Sequence, residues 1–490
     1  MRYEAVIGME VHAQLLTQSK MFCGCRAEVF GAEPNTLVCP VCLGMPGVLP
    51  VINQKAVEYT IMTGLALNCQ ISEFSRFARK NYNYPDLVKG YQISQYELPL
   101  CYDGWLEIVV DGTAKRIRIE RVHLEEDTGK LFHRGEYSLV DYNRSGVPLM
   151  EIVSRPDMRS AAEAYAYLTK LRQILRYLGV SSGDMEKGAM RCEVNVSLRP
   201  VGTEGLGTKV EIKNLNSFRS VKMALEYEIQ RQAEILEQGG TIEQVTMGWD
   251  EEGQRTVLQR SKEFAHDYRY FPEPDLPPLE ISRAWVEELR SRLPELPDAK
   301  RERFVTQYGL SAYDAEVLAA EQEVADYFEH CVALYPEPKT VANWISGDLF
   351  RRMKEAGLSI TEIKVGPEAL AELLNLVKDG TINLNTARQV FGLMLESGQS
   401  AREIIAERGL AQISDTAELE RVVEEVLAAN PAQVQQYLSG KEAVARWLMG
   451  QVMKATRGQA NPQVVSRLLT EKLQARRGSV ERGEEDNDPR

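Results

Sequence analysis

Five segments in the N-terminal half of the chain alternate apolar and polar side chains, and this pattern restricts the fold more than any other feature. In a β-strand, residues two apart share a face, so each segment is predicted to be a strand with one apolar and one polar side. Strands of this kind build a mainly antiparallel sheet with one face on a core and one in water. The segments are residues 8–15, 121–125, 150–152, 191–198 and 209–213.

Each of these segments carries a glutamate on its polar side: Glu10, Glu125, Glu151, Glu193 and Glu211. One glutamate on a wet sheet face is ordinary solvated surface. Five carboxylates gathered on one sheet would repel one another unless a cation lay between them. The sequence therefore predicts a cation site on the polar face, on the assumption that the five strands are neighbours.

The polar faces also carry His12 and three basic residues, Arg191, Lys209 and Lys213. Carboxylates with an occasional imidazole suit Mg²⁺, which proteins commonly bind together with the phosphates of a nucleotide. The basic residues would neutralise phosphate oxygens during phosphoryl transfer. The chain has neither a P-loop nor a dinucleotide-binding glycine motif, so a nucleotide site would belong to another type.

Four of the eight cysteines form a cluster in the sequence, and Pro40 and Gly44 suit a tight turn beside it. Four thiolates at this spacing are typical of a closed structural zinc site. The first cysteine pair is more closely spaced than usual, so reduced cysteines without a metal and a redox pair remain alternatives. The clustered residues are Cys23, Cys25, Cys39 and Cys42.

Residues 75–96 combine basic side chains with four tyrosines. This composition fits either a polar surface loop or a loop that faces nucleic acid or phosphate, because basic and aromatic groups contact backbones and stack on bases.

The composition changes near residue 293, where β-like runs give way to helical patterns. Before that point two helices are predicted, over 161–178 and 218–238, and the proline-rich segment 270–280 is predicted to be an extended connector. The predicted domains are a first domain over 1–292 with the cysteine cluster at 23–42, a helical domain over 293–411, a helical tail over 412–480 and a disordered end over 481–490.

The tail is basic although the net charge of the chain is -13. Between Lys441 and Arg477 lie eight basic and two acidic residues, on two predicted amphipathic helices of which the second begins at Asn461-Pro462. Such a patch predicts contact with a phosphate backbone, with a solvated helical face as the alternative. The residues predicted to contact RNA are Lys441, Arg446, Lys454, Arg457, Arg467 and Lys472.

Several classes of protein are disfavoured. No apolar run reaches the ~20 residues of a membrane span, and the N-terminus does not resemble a signal peptide, so a cytoplasmic protein without membrane contact is expected. No GxSxG elbow, serine-rich amidase loop or Cys/His/Glu set for glutamine hydrolysis is evident. If the chain forms an amide, its ammonia must come from another chain.

Six consecutive stretches resemble signature regions of the B subunits of tRNA-dependent amidotransferases, and the resemblance extends over essentially the whole chain. The stretches are MEVHAQL, SRFARKNYNYPDLVKGYQISQY, DYNRSGVPLMEIVS, GDMEKGAMRCEVNVSL, KNLNSFRSVKMALEYEIQRQ and DYRYFPEPDLPP.

The resemblance implies an α+β fold. Its N-terminal cradle domain, with a mainly antiparallel sheet, would resemble the glutamine synthetase core, and an all-α domain and an all-α tail would follow. It implies that ATP phosphorylates the side-chain carboxylate of Glu-tRNA(Gln) or Asp-tRNA(Asn). Ammonia from an amidase partner, the A subunit, would then displace phosphate, and a small C subunit would bridge the two.

Residue by residue, the resemblance places Glu10, His12, Glu125 and Glu151 at the metal and ATP centre. Glu193 and Glu211 would be further ligands, and Lys80 and Lys89 would lie at the mouth of the ammonia channel. The resemblance also matches the four cysteines to a zinc knuckle and the tail to an arm that holds the tRNA body.

Two other functions remain open. A free-standing ligase acting on a small carboxylate would explain the acidic strands but not the basic tail. A non-enzymatic RNA-binding scaffold would explain the tail but not the acidic strands. ATP hydrolysis stimulated by charged tRNA separates all three hypotheses.

Overall fold

The computed structural model describes residues 3–261, 268–412, 416–456 and 458–485. The chain divides into two compact units, Met1–Lys300 and Arg301–Arg490. The strands all lie in the first unit and are β1 Tyr3–Gln14, β2 Gln70–Ile71, β3 Phe74–Ser75, β4 Ala78–Asn81, β5 Tyr91–Ser94, β6 Cys101–Val110, β7 Thr113–Glu126, β8 Lys130–Arg134, β9 Tyr137–Asp141, β10 Pro148–Ser154, β11 Met190–Pro200, β12 Val210–Leu215, β13 Val245–Asp250, β14 Arg255–Ser261, β15 Phe271–Pro272 and β16 Leu279–Glu280.

Nine of these strands form one sheet in the order β14-β13-β12-β11-β1-β10-β7-β6-β2. The β12–β13 pair is parallel, and the other neighbours in this sheet are antiparallel. The long strand β1 lies at the centre, between β10 and β11. The expected mainly antiparallel sheet is therefore present.

The apolar face of the sheet packs against three helices, α1 Gln54–Ala66, α2 Ala161–Tyr177 and α3 Phe218–Glu237. Val11 on β1 and Leu168 on α2 are completely buried in this core, as the alternating pattern requires. Helices α2 and α3 agree with the predicted helices to within one residue at their ends. Helix α1 was not predicted.

A smaller sheet, in the order β15-β4-β5, contributes to the polar side of the large sheet. The side chain of Gln95, just after β5, accepts a hydrogen bond from the backbone nitrogen of Leu124 on β7 at 3.0 Å. The proline-rich segment supplies β15 and β16, which pair with β4 and β3, so this extended connector is anchored along its length.

The remaining helices begin near the end of the first unit and continue through the second. They are α4 Arg283–Ser291, α5 Pro297–Tyr308, α6 Ala312–Leu318, α7 Gln322–Leu334, α8 Pro338–Asn343, a π-helical turn Trp344–Leu349, α9 Phe350–Ala356, α10 Pro367–Lys378, α11 Leu384–Ser397, α12 Ala401–Arg408, α13 Thr416–Ala429, α14 Pro431–Leu438, α15 Val444–Ala455 and α16 Pro462–Glu485.

The described residues of the second unit form two hydrophobic cores. One lies between Phe304 and Ile405 and the other between Leu419 and Leu473. Helix α16 begins at Pro462, where Asn461 Oδ1 accepts hydrogen bonds from two backbone nitrogens of the first turn. This helix continues to Glu485, into the segment predicted to be disordered, and residues 486–490 lie outside the described chain.

The predicted α+β class is confirmed, with a sheet-containing N-terminal unit followed by a helical unit. Among the described helices, none combines the length and apolar character needed to cross a membrane.

Candidate functional site

The five glutamate-bearing strands lie side by side in the order β12-β11-β1-β10-β7. Antiparallel pairing places His12 opposite Glu151 on one neighbour and opposite Arg191 on the other. Glu151 in turn lies opposite His123. Because directly paired residues share a face, these four side chains form one row across the polar face of the sheet.

Three of the predicted ligands converge at the centre of this row. His12 Nε2 lies 3.3 Å from Glu125 Oε1 and 4.0 Å from Glu151 Oε1. One ligand atom from each of the three residues lies within 4.8 Å of the others. Glu151 also pairs with His123, whose Nε2 lies 2.9 Å from Glu151 Oε2. Glu125 and Glu151 are only 2% and 9% exposed, so their charges are largely removed from water.

Mutual stabilisation fixes the charge states of this cluster. Burial would lower the pKa of His12, but the hydrogen bond and charge of Glu125 raise it to about 9. Burial would raise the pKa of Glu151, and the charge of His123 instead lowers it below the ordinary value. The protein therefore holds two ionised carboxylates at one buried point, where protonated His12, or a cation in place of its proton, balances their charge.

Glu10 lies beside this group rather than inside it. It lies directly opposite Glu193 of the neighbouring strand β11, and its Oε1 accepts a hydrogen bond from Asn195 Nδ2 at 2.9 Å. Burial and the negative charges of Glu151 and Glu193 raise the pKa of Glu10. Within the described chain, the buried Oδ1 of Asn195 has no hydrogen-bond partner. Glu10 and Asn195 line a cavity of about 190 Å³ together with Val153, Pro156, Ser197, Leu206 and Lys209.

Two of the basic residues predicted to neutralise phosphate and the two predicted further ligands all take part in ion pairs: Arg191, Lys213, Glu193 and Glu211. Lys213 Nζ lies 2.9 Å from Glu193 and 3.7 Å from Glu211. Arg191 Nη2 lies 2.8 Å from Asp127 Oδ1, and Gln14 donates to the other oxygen of Asp127 at 2.7 Å. The two basic side chains are thus held by neighbouring carboxylates.

The two predicted lysines occupy different surroundings. Lys89 forms an ion pair with the buried Glu126, which also accepts a hydrogen bond from the backbone nitrogen of Ile93 at 3.0 Å. Lys80 makes no salt bridge with any described residue, and its Nζ lies 4.9 Å from the centre of the Tyr268 ring. Burial would lower the pKa of Lys80, but the charge of Glu125 raises it above the ordinary value.

The four clustered cysteines come together in space, with their sulfur atoms within 4.8 Å of one another. Tetrahedral zinc with bonds of ~2.3 Å places its sulfur ligands roughly 3.8 Å apart, so the donor set fits after a small contraction. The Nζ of the fully buried Lys20 lies 3.6 Å from Cys42 Sγ, and the backbone nitrogen of Cys39 lies 3.2 Å from the same atom. These groups favour a thiolate at Cys42.

The predicted RNA-contacting residues of the tail fall into two groups. Lys441, Arg446 and Lys454 are exposed, and none forms a salt bridge with another described residue. Lys472 instead pairs with Glu420 and Glu424 on α13, at 2.5 and 3.1 Å.

Arg467 lies 4.0 Å from Glu471 within its own helix. Arg457 lies outside the described residues. The glutamates of α13 make the tail less positive than the segment 441–477 alone indicates.

Sequence reasoning did not assign roles to His123, Glu126 and Asp127, although the structure places all three around the cluster. The consecutive acidic residues 125–127 at the end of a strand were an available signal. Alternation assigns only every second residue to the polar face, but Glu126 lies at the last position of β7 and contacts the neighbouring small sheet.

The comparisons with known proteins agree with one another. Residues 5–287 match a family model described as the GatB/GatE catalytic domain, and residues 326–473 match one described as the GatB domain. The chain is 57% identical over 470 residues to the aspartyl/glutamyl-tRNA(Asn/Gln) amidotransferase B subunit of Thermodesulfovibrio yellowstonii, covering 96% of this chain and 99% of the relative. It is 58% identical over 477 residues to the corresponding B subunit of Moorella thermoacetica, covering 96% of this chain and 100% of that relative. For the B subunit of Geotalea daltonii the identity is 56% over 479 residues, covering 97% and 100%.

Proposed function

Because the chain belongs to the family of aspartyl/glutamyl-tRNA(Asn/Gln) amidotransferase B subunits, we propose that it activates a carboxylate on misacylated tRNA with ATP. The substrates are Glu-tRNA(Gln), Asp-tRNA(Asn) or both. The chain functions in tRNA-dependent amidation as one subunit of a ligase complex. The observation that supports this function best is the buried His12–Glu125–Glu151 group on the polar face of the sheet.

The proposed chemistry has two steps. A side-chain carboxylate oxygen of the tRNA-bound amino acid attacks the γ-phosphorus of ATP, and ADP leaves with the electrons of the broken P–O bond. Ammonia then attacks the carbonyl carbon of the acyl phosphate, and phosphate leaves. The products are the amidated aminoacyl-tRNA, ADP and phosphate. Both steps develop negative charge on phosphate oxygens, which positive groups would stabilise.

Glu125 and Glu151 would hold Mg²⁺ together with His12, which would release its Nε2 proton on binding the ion because a metal-ligating imidazole must be neutral. Glu10, Glu193 and Glu211 would be further acidic groups on the same face. When bound, the ion would neutralise phosphate charge and orient the nucleotide. The orphaned Asn195 Oδ1 and the cavity beside Glu10 are consistent with a ligand at this position. Arg191 and Lys213 would exchange a carboxylate partner for a phosphate oxygen when the nucleotide enters.

Lys80 and Lys89 would add positive charge beside the carboxylate group. The ammonium of Lys80, without a salt bridge among the described residues, would contact the acyl phosphate. Lys89 and Glu126 would line the path by which ammonia arrives, and their ion pair would stabilise that path in the absence of substrate. The ammonia would come from glutamine through an amidase partner, the A subunit, and a small C subunit would join the assembly.

The four cysteines would hold a structural zinc ion, because four thiolates leave no open coordination position for a substrate. The exposed basic residues of the tail would contact the phosphates of the tRNA body. Arg457, which the sequence assigns to the same patch, would extend it.

The proposal is tested by purifying this chain with its A and C partners and supplying ATP, Mg²⁺, glutamine and each misacylated tRNA separately. Amidated aminoacyl-tRNA, measured after deacylation, is expected with at least one tRNA. A folded and assembled complex that makes no product with either tRNA would favour the scaffold or the small-molecule ligase.

Glu125→Gln tests the metal centre directly. This change keeps the shape of the side chain and removes the charge, so we expect the fold to persist and acyl-phosphate formation, followed as tRNA-dependent ADP release, to be abolished. Glu120→Gln is the matched control, because Glu120 lies on the same strand with a side chain that is 48% exposed. Normal turnover in both Glu125→Gln and Glu10→Gln would exclude this metal centre.

A further inference from the structure

The centres of two tyrosine rings lie 5.9 and 4.9 Å from the Lys80 ammonium at the edge of the carboxylate group, and two further tyrosines pack beside them. We call the four the tyrosine cluster: Tyr82, Tyr268, Tyr270 and Tyr96. Lys80 lies on β4, Tyr96 follows β5, and Tyr270 precedes β15, so the small sheet gathers residues distant in sequence. The rings of Tyr96 and Tyr270 are stacked, with centroids 4.2 Å apart and planes inclined by 4°. Tyr268 contacts both Tyr270 and Tyr82 edge-on.

The tyrosine cluster differs from ordinary core packing. Tyr96 is 52% exposed, so the stacked pair lies at the surface, whereas the core of this unit is built largely from aliphatic side chains. A half-exposed, parallel aromatic pair presents a flat apolar surface to solvent. Planar rings of this kind are the usual partners of nucleic-acid bases, because every base has a π-face that stacks on them.

The tyrosine cluster also adjoins the reaction centre. Ser94 on β5 donates a hydrogen bond to Glu125 Oε2 at 3.3 Å, and Tyr96 lies two residues beyond it. Two residues of chain span at most roughly 7 Å, so the backbone of Tyr96 lies within that distance of Ser94. In an aminoacylated tRNA end, about nine bonds join the terminal base to the side-chain carboxylate of a glutamyl group, a span of roughly 10 Å.

We propose that the tyrosine cluster is the stacking site for the terminal base of the aminoacylated tRNA. A base on the Tyr96–Tyr270 pair would bring the esterified amino acid to Glu125 and Lys80, where its carboxylate is phosphorylated. This inference rests on the proposed function and adds the means by which the acyl group is aligned. The adenine of ATP has the same ring chemistry, so the test must separate the two sources.

The test uses the assembled complex with its partner subunits and compares Tyr96→Ala, Tyr96→Phe and Tyr137→Ala. Loss of one base–aromatic stack corresponds to roughly a 5- to 150-fold weaker interaction. We expect Tyr96→Ala to raise the KM for misacylated tRNA within this range and to leave the KM for ATP unchanged. Tyr96→Phe retains the ring and should behave like the wild type. Tyr137→Ala, which removes a 64% exposed tyrosine outside the tyrosine cluster, should do the same.

A small probe identifies the base itself. Competitive inhibition by 3′-glutamylamino-3′-deoxyadenosine should weaken in Tyr96→Ala, whereas inhibition by the same compound without its base should not change. A raised KM for ATP alone would assign the tyrosine cluster to the nucleotide and overturn the proposal. Unchanged KM values in Tyr96→Ala, with an active wild-type complex, would also overturn it and leave the proposed function standing. An inactive wild-type complex would instead refute the proposed function.

Discussion

Arg79 and Glu273 form the ion pair through which the proline-rich segment is fastened to β4. Arg79 Nε lies 2.7 Å from Glu273 Oε2, and Arg79 Nη2 lies 2.9 Å from Glu273 Oε1. The Glu273 side chain is fully buried, and its backbone nitrogen donates to the carbonyl of Phe77 at 2.9 Å. Arg79→Met keeps much of the apolar stem but removes both charged hydrogen bonds, and it leaves a carboxylate uncompensated in the interior.

Removing one partner of a buried ion pair costs about 3–5 kcal/mol, much more than the net contribution of the pair itself. With a denaturant slope of about 3 kcal/mol per molar urea, the unfolding midpoint should fall by roughly 1–2 M. Arg79→Met/Glu273→Met should be more stable than Arg79→Met alone, because no charge is then left buried. We expect a coupling energy of about 2 kcal/mol or more from the double-mutant cycle.

Arg118→Met is the matched comparison for this measurement. Arg118 also makes a two-pronged contact, with Asp157 at 2.9 and 2.6 Å, but its side chain is 61% exposed. An exposed pair contributes about 0–1 kcal/mol, so the urea midpoint of this variant should stay near that of the wild type. Equal destabilisation by Arg79→Met and Arg118→Met, or a double mutant no better than Arg79→Met, would refute the reasoning from burial.

Below pH 3.8 the wild type should lose stability that Asp127→Asn does not lose, as urea unfolding at about pH 5 and pH 2 would measure. Burial would raise the pKa of Asp127, but the charge of Arg191 lowers it. The ionised Asp127 therefore stabilises the folded state above the unfolded-state pKa, and this stabilisation disappears as the pH falls. Equal acid sensitivity of the wild type and Asp127→Asn would argue against the Asp127–Arg191 pairing. Chelation or Cys39→Ser should remove zinc, detected by atomic absorption, and lower the melting temperature; a zinc-free wild type with unchanged melting after chelation would exclude the metal. Lys454→Glu, alone or with Arg457→Glu, should weaken tRNA binding and reduce its salt slope by about one per lost phosphate contact, without changing turnover of a minimal acceptor-stem substrate. Lys472→Glu should weaken tRNA binding less, because the Lys472 ammonium is already paired with two glutamates. Unchanged tRNA affinity in Lys454→Glu would exclude a tRNA-binding role of the tail.

Alternation predicted the five strands because a period of two is a local property of the chain. It also placed Glu10, His12 and Glu151 on the polar side, where the structure has them. Their adjacency depends on the pairing of β1 with two strands more than a hundred residues away, which no local pattern encodes. The family resemblance, which the relatives confirm, came from long consecutive motifs rather than from the periodicity.

Helix α1 shows why a helix can escape prediction. Its sequence places β-branched residues at Val57, Thr60 and Ile61, which favour strands in isolation. Most of its residues are buried, so no polar stripe reveals a period of 3.6. Tertiary packing against the sheet, rather than helix propensity, stabilises this element.

The charge partners were the least predictable part of the site. Arg191 was expected to face phosphate, and it does lie on the predicted face, but Asp127 holds it through an ion pair. In the tail, the glutamates of α13 neutralise Lys472 from a helix about fifty residues earlier. A count of charges along one segment cannot detect partners that the fold supplies from another.

The cysteine cluster is structurally connected to the candidate functional site through one glycine. Gly44 has a φ of +62°, and a Cβ atom at this position would lie 2.3 Å from Cγ of Lys89. A side chain here would therefore displace Lys89 and disturb its ion pair with Glu126. Gly44 lies two residues after Cys42, one of the four clustered cysteines. A zinc ion held by these cysteines would therefore fix the position of Gly44, and through it the position of Lys89 at the proposed ammonia path, without contacting the substrate. Removal of a metal held by these cysteines is therefore expected to perturb that ion pair as well.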